Sequence, residues 1–142
     1  MEISESNFLY IITNLRQRLF KFLDSELAKE NIKGIAPSYG DILFVLDKEG
    51  RITMQEVAKH TIKDKSTISS VINKLVSGGF ILKERDALDG RYTNLTLTPK
   101  AKKLRPVLLG ISRKMNDTLF KGLSEEEKTM LFKLIGKVYK NL

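Results

Sequence analysis

The chain has 142 residues and a mass of 16.2 kDa, the size of one ordinary domain, with 42% hydrophobic and 30% charged residues. It has no cysteine, which excludes disulfides, thiolate metal sites and thiol redox chemistry, and its apolar runs stop at five residues, as in Ile42–Leu46, against the roughly 20 that a membrane-spanning helix needs. The formal net charge of +8 lies mainly in residues 51–105, with 12 basic and 5 acidic side chains, between a segment 1–50 of net −2 and a segment 106–142 of net +3, so a polyanion-facing middle is expected.

The acidic opening Met-Glu-Ile-Ser-Glu is unlike a signal or transit peptide, so a cytoplasmic protein is expected. From Ser6 to Glu30 the pattern predicts a helix. Phe8, Ile12, Leu15, Leu19 and Phe22 recur at steps of 4, 3, 4 and 3, the spacing that two interlocking helices use. Ile11, Leu23 and Leu27 widen this stripe beyond what one neighbour would cover. After the turn residues Asn31–Gly34, Pro37 is expected at the first position of a second helix, which Gly50 closes.

Thr53-Met-Gln-Glu56 has the form of a capping box, and Asp64 is a second good N-cap whose carboxylate meets the positive end of the next helix. In that next helix Ile68, Val71, Ile72, Leu75 and Val76 share one face, while Lys65, Ser66, Ser69, Ser70 and Asn73 share the other. Gly78 and Gly79 stop it. Two short capped helices with a brief connection form a helix-turn-helix candidate. Phe80–Arg85 and Tyr92–Thr98 then read as a β-hairpin with a charged tip, in which Gly90 is expected to permit a tight turn. Thr98-Pro99 opens a long helix striped by Leu104, Leu108, Ile111, Met115 and Leu119, with Pro106 expected to kink it. Ser124–Glu127 is another capping box, before a last helix striped by Met130, Leu131, Leu134, Ile135 and Val138.

The supply of catalytic groups is thin. His60 is the only histidine, so neither the common zinc sets nor a Ser-His-Asp arrangement with a recognisable nucleophile is available. There is no G-x-x-x-x-G-K-S/T loop and no G-x-G-x-x-G after a strand. No enzyme activity, metal or cofactor is expected.

The stretch from Ile52 to Lys103 resembles the MarR family of bacterial transcription regulators. The matching residues are Ile52–Ala58, Asp64–Thr67, Asn73-Lys-Leu75, Gly79-Phe-Ile81, Arg85-Asp86, Asp89-Gly-Arg91 and Leu97–Ala101, and the flanking helices fit as well. The resemblance implies a mostly α-helical winged helix-turn-helix protein. Residues 1–36 and 99–142 would supply dimerisation helices, and residues 37–98 the DNA-binding lobe. It also implies a homodimer on a pseudo-palindromic operator in double-stranded DNA, and release by a small molecule from a cleft between the two regions. Lys65, Ser66, Thr67, Ser69, Ser70, Asn73 and Lys74 would face the major groove or its phosphates. Arg91, oriented by Asp89, would enter the minor groove, with Arg85 on the backbone. One departure stands out: many relatives carry an arginine where this chain has Ser70, so a bidentate guanine donor is missing there. The expected function is a ligand-responsive repressor. The alternatives are an architectural DNA-binding protein or a helical adaptor for an acidic partner.

Overall fold

A computed structural model describes all residues 1–142. After a single 3-10 turn at Glu5–Asn7, helix α1 runs from Phe8 to Lys29. It starts two residues after the expected Ser6, at the first residue of its apolar stripe, because Asn7 accepts from the Ser4 amide at 3.0 Å and holds the preceding turn apart. It ends where Asn31 adopts φ 56° and the Ile32 amide donates back to the Leu27 carbonyl at 3.0 Å. Asparagine tolerates this left-handed conformation better than most residues.

Pro37 opens a separate 3-10 turn, Pro37–Tyr39, rather than the helix itself; α2 spans Gly40–Glu49. Its apolar side buries Ile42, Leu43, Val45 and Leu46. A short strand β1, Arg51–Thr53, leads directly into α3, Met54–His60. The capping box is reciprocal, with the Glu56 amide donating to Thr53 Oγ1 at 3.2 Å and the Thr53 amide to Glu56 Oε2 at 2.7 Å. Helix α4 covers Lys65–Ser77, and the hairpin strands β2 and β3 cover Ile81–Arg85 and Thr93–Leu97.

The sheet therefore has three antiparallel strands in the order β1-β3-β2 rather than the two of a bare hairpin, with Ile52 opposite Leu95 and Ile81 opposite Leu97. Three residues are too few to show the strand period of two, which is why the third strand is invisible in the sequence. Helices α2 to α4 and this sheet enclose one core in which Ile42, Leu46, Val57, Ile68, Ile72, Leu75, Phe80 and Leu95 are fully buried.

Helix α4 stops in a motif that only glycine satisfies easily. Gly79 has φ 78°, and the Phe80 amide donates to the Leu75 carbonyl at 2.9 Å, while the Gly79 amide donates to Val76 at 3.0 Å. Gly79→Ala is expected to destabilise the lobe by about 1–2 kcal/mol, the cost of forcing an L side chain into that region. Equilibrium denaturation in urea checks this; an unchanged midpoint would contradict it.

At the ends of the chain, α5 (Pro99–Leu119) runs as one element with Pro106 inside it, and α6 covers Glu125–Tyr139. Thr98 caps the first, its Oγ1 accepting from the Ala101 amide, and Ser124 caps the second. Leu104 and Leu108 pack on the lobe core, whereas α6 buries no residue at all. Phe8, Ile12 and Leu15 of α1 and Met130, Leu134, Ile135 and Val138 of α6 are all exposed.

Candidate nucleic-acid interface

The outer face of α4 follows from its period of 3.6. Where Ile68, Val71, Ile72 and Leu75 point into the core, Lys65, Ser66, Thr67, Ser70, Asn73 and Lys74 are left in solvent, and Ser69 is half-buried. Asp64 accepts from both the Thr67 amide (2.8 Å) and the Thr67 hydroxyl (3.0 Å), so that hydroxyl can face a ligand only as an acceptor. Asn73 and Lys74, together with Ser77, border an open groove shared with Asp24 and Tyr39.

Both ends of α4 are tied to neighbouring helices. Ahead of it, Lys63 pairs with Asp41 of α2 at 2.5 Å. Behind it, Lys100 Nζ donates to the Gly78 carbonyl at 2.7 Å and lies 4.5 Å from the Phe80 ring centroid. Thr98 Oγ1 donates to the Gly79 carbonyl at 2.6 Å. A Cβ on Gly78 would come within 2.9 Å of the Phe80 ring, so the helix end and the ring are fitted to each other.

The turn between β2 and β3 is organised by two carboxylates. Asp86 Oδ1 accepts from the Leu88 and Asp89 amides at 2.9 and 3.1 Å, and its Oδ2 accepts from Asn94 Nδ2 at 2.8 Å. Asp89 receives Arg91 Nε at 3.0 Å and Nη2 at 2.8 Å, a two-pronged contact that aligns the guanidinium with the carboxylate, and it also accepts the Arg91 amide at 3.1 Å. The Arg91 side chain remains 84% exposed. Arg85, at the end of β2 opposite Thr93, is exposed as well. The turn does not need its glycine: Gly90 has no positive φ, and a Cβ there would meet nothing within 4 Å. The tightness comes from the aspartates, so the expectation placed on Gly90 is corrected.

A family model described as MarR family matches residues 33–91. The HTH-type transcriptional regulator BilQ of Clostridium symbiosum is 33% identical over 138 residues, covering 96% of this chain and 92% of its own. The chain belongs to the MarR family. The HTH-type transcriptional repressor YetL of Bacillus subtilis is 28% identical over 113 residues, 78% of this chain and 67% of its own. Among solved structures, the S. aureus MepR–DNA complex superposes with a TM-score of 0.84 at 26% identity, covering 99% of this chain and all of the other. As a MarR-family member the chain is a DNA-binding winged helix-turn-helix transcriptional regulator.

Within this MarR-family chain the Asp89–Arg91 unit is legible in the sequence, and four further supports emerge only in the structure. Asp86 and Asn94 carry the turn, and Lys63 and Lys100 fix α4. The Asp86-x-x-Asp89 spacing is a visible signal, since aspartates of turns accept amides two and three residues on. Lys63 and Lys100 act across 22 residues each, and no local pattern announces them. A cavity of about 300 Å³ also lies between α1, α2 and α5, walled by Leu23, Leu27, Leu43, Phe44 and Met115. Its few polar groups include Arg105 and Asp47, which pair at 2.8 Å.

Several carboxylates of the lobe sit below their ordinary range. Asn94 and the Leu88 and Asp89 amides hold down Asp86, Arg91 holds down Asp89, the Thr67 amide Asp64 and the Thr53 amide Glu56. A carboxyl depressed on folding contributes stability above its unfolded value near 4, and that stability is lost as pH falls through the folded value. The urea midpoint is therefore expected to drop as the pH is taken from about 4 down to 2, and Asp86→Asn is expected to flatten part of that drop. A midpoint that held steady over this range would contradict the assignment.

Proposed function

We propose that this MarR-family regulator is a ligand-responsive repressor that acts as a homodimer on a pseudo-palindromic operator. Apolar stripes left bare at both chain ends, beside a lobe with its own closed core, carry this reading. Exposed apolar surface of this extent marks an interface, and a two-fold copy would cover α1 and α6 with the same faces. Residues 1–36 and 99–142 would form the dimer base and 37–98 the reading lobe. Two lobes so linked would address half-sites about one helical turn apart.

In each lobe Lys65, Ser66, Thr67, Ser69, Ser70, Asn73 and Lys74 would face the major groove or its phosphates. Arg91, held by Asp89, would enter the minor groove, with Arg85 on the backbone. With no arginine at position 70, readout rests on short side chains and on the wing. Selection of bound duplexes from a random library is expected to return inverted, paired half-sites. Unpaired half-sites, or no sequence preference, would overturn the proposal.

The cavity between α1, α2 and α5 supports a ligand response, because it joins the base to the lobe. Its walls suit an organic molecule with an apolar body, and the resemblance implies an anionic or phenolic one. Such a ligand would act by favouring a lobe spacing that cannot span both half-sites. With no cysteine and a single histidine, release from operator by peroxide at physiological levels, or by zinc alone, is not expected. Either result in a gel-shift titration would contradict this account.

A further inference from the structure

The wing carries a second exposed group that the reading above leaves unused. Leu88 is 99% exposed, more than any large apolar side chain except the terminal Leu142. A lone exposed leucine is ordinary, but the surroundings of Leu88 are not. Its amide is fixed to Asp86 Oδ1 at 2.9 Å, and Asp86 is anchored in turn by Asn94, a buried residue of β3. The tip is thus built outward from the sheet, and the backbone that carries the leucine is held at a set position.

The charges around it are also arranged. Asp86 is committed to three internal donors, and Asp89 to Arg91. Neither carboxylate is left unengaged to meet a phosphate, and the most exposed long side chains of the turn are Leu88 and Arg91. A guanidinium beside a branched aliphatic group suits the DNA minor groove. Its negative potential rewards the cation, its sugar walls are largely C–H, and minor-groove binders combine arginine with apolar wedges.

We propose that Leu88 is a specificity-determining residue of the wing: it packs against the sugar walls of the minor groove beside Arg91, favouring a narrow, A·T-rich flank. The proposal rests on the reading that Arg91 enters that groove. An aliphatic side chain touches both walls only where the groove is narrow, and the 2-amino group of guanine obstructs its floor. The wing would therefore select flanking sequence by shape, without bonding to a base.

The test uses the full-length protein and duplexes obtained from the random library, with the wing-side flank rebuilt as A·T, G·C or inosine·C pairs. Leu88→Gln removes no core contact, and an unchanged thermal midpoint and circular dichroism spectrum verify the fold. On the A·T flank Leu88→Gln is expected to weaken binding roughly ten-fold, the scale of half-burying a leucine. The slope of affinity against salt should stay the same, because no charge is lost. The wild type should prefer A·T and inosine·C flanks over G·C, and the variant should lose that preference. Wild-type affinity in Leu88→Gln, or an equal loss on all three flanks, would overturn the proposal. Arg91→Ala, measured in parallel, separates the two failures. If it lowers affinity and salt slope while Leu88→Gln changes nothing, only the role of Leu88 fails. If neither variant changes binding, the wing reading itself falls.

Discussion

Replacing Leu134 by aspartate is expected to abolish assembly, and operator binding with it. In the single chain Leu134 is 50% exposed, among Met130, Ile135 and Val138 exposed to a similar degree, and the helix that carries them buries nothing of its own. Leu15, 41% exposed on α1, belongs to the matching stripe at the other end of the chain. In a two-fold dimer each substitution counts twice. Since each leucine has only about half its surface left for the partner to cover, the lost interface burial costs about 0.8–1.5 kcal/mol per copy, and placing an unpaired carboxylate in the same apolar contact costs more. Leu15→Asp should behave likewise. Light scattering of wild type at micromolar concentration should report a dimer, and of either variant a 16.2 kDa monomer or an aggregate. A well-folded wild-type monomer would end the dimer reading, and a Leu134→Asp protein that still dimerises would move the interface elsewhere.

Arg91→Ala is expected to weaken operator binding roughly 5- to 150-fold and to lower the salt slope by about one. The guanidinium is already aligned by Asp89, so less freedom is lost when it binds. Asp89→Asn separates this mechanism from bulk electrostatics. It removes a negative charge from a basic protein, which taken alone predicts tighter binding to DNA. If Asp89 orients Arg91, the same change weakens binding while the fold persists. The outcome that sinks the orienting role is tighter binding by Asp89→Asn at every salt concentration.

The local parts of this architecture are legible in the sequence because local chemistry makes them. The caps at Thr53, Asp64, Thr98 and Ser124 each bond to an amide three residues on, so composition and spacing reveal them directly. The two faces of α4 follow from periodicity in the same way. What escaped the sequence is non-local. Strand β1 exists because Arg51–Thr53 pairs with Asn94–Thr96, more than forty residues later. Lys100 acts on α4 only because the hairpin returns the chain beside Gly78. Gly90 misled for the opposite reason: glycine in a turn suggests special geometry, but here the aspartate side chains impose the shape and the backbone stays in an ordinary region. The Asp89–Arg91 contact was legible because the two residues are only two apart.

Helix α5 can be viewed as a beam. Its first turns belong to the lobe, through Ala101, Leu104 and Leu108, and further along Ile111 is buried and Lys114 is pinned to Glu26 of α1. Pro106 sits within this span and brings no amide, so the tie that would run back to the Lys102 carbonyl is absent. Elastic deformation of a beam gathers where its stiffness is lowest. The weakest section of α5 is therefore the turn around Pro106, inside the part of the helix that Leu104 and Leu108 pack on the lobe. Arg105 and Leu108, which border the cavity, stand beside that weak section. The weakest turn of α5 thus borders the cavity, while the first turn of the same helix holds the end of α4 through Lys100.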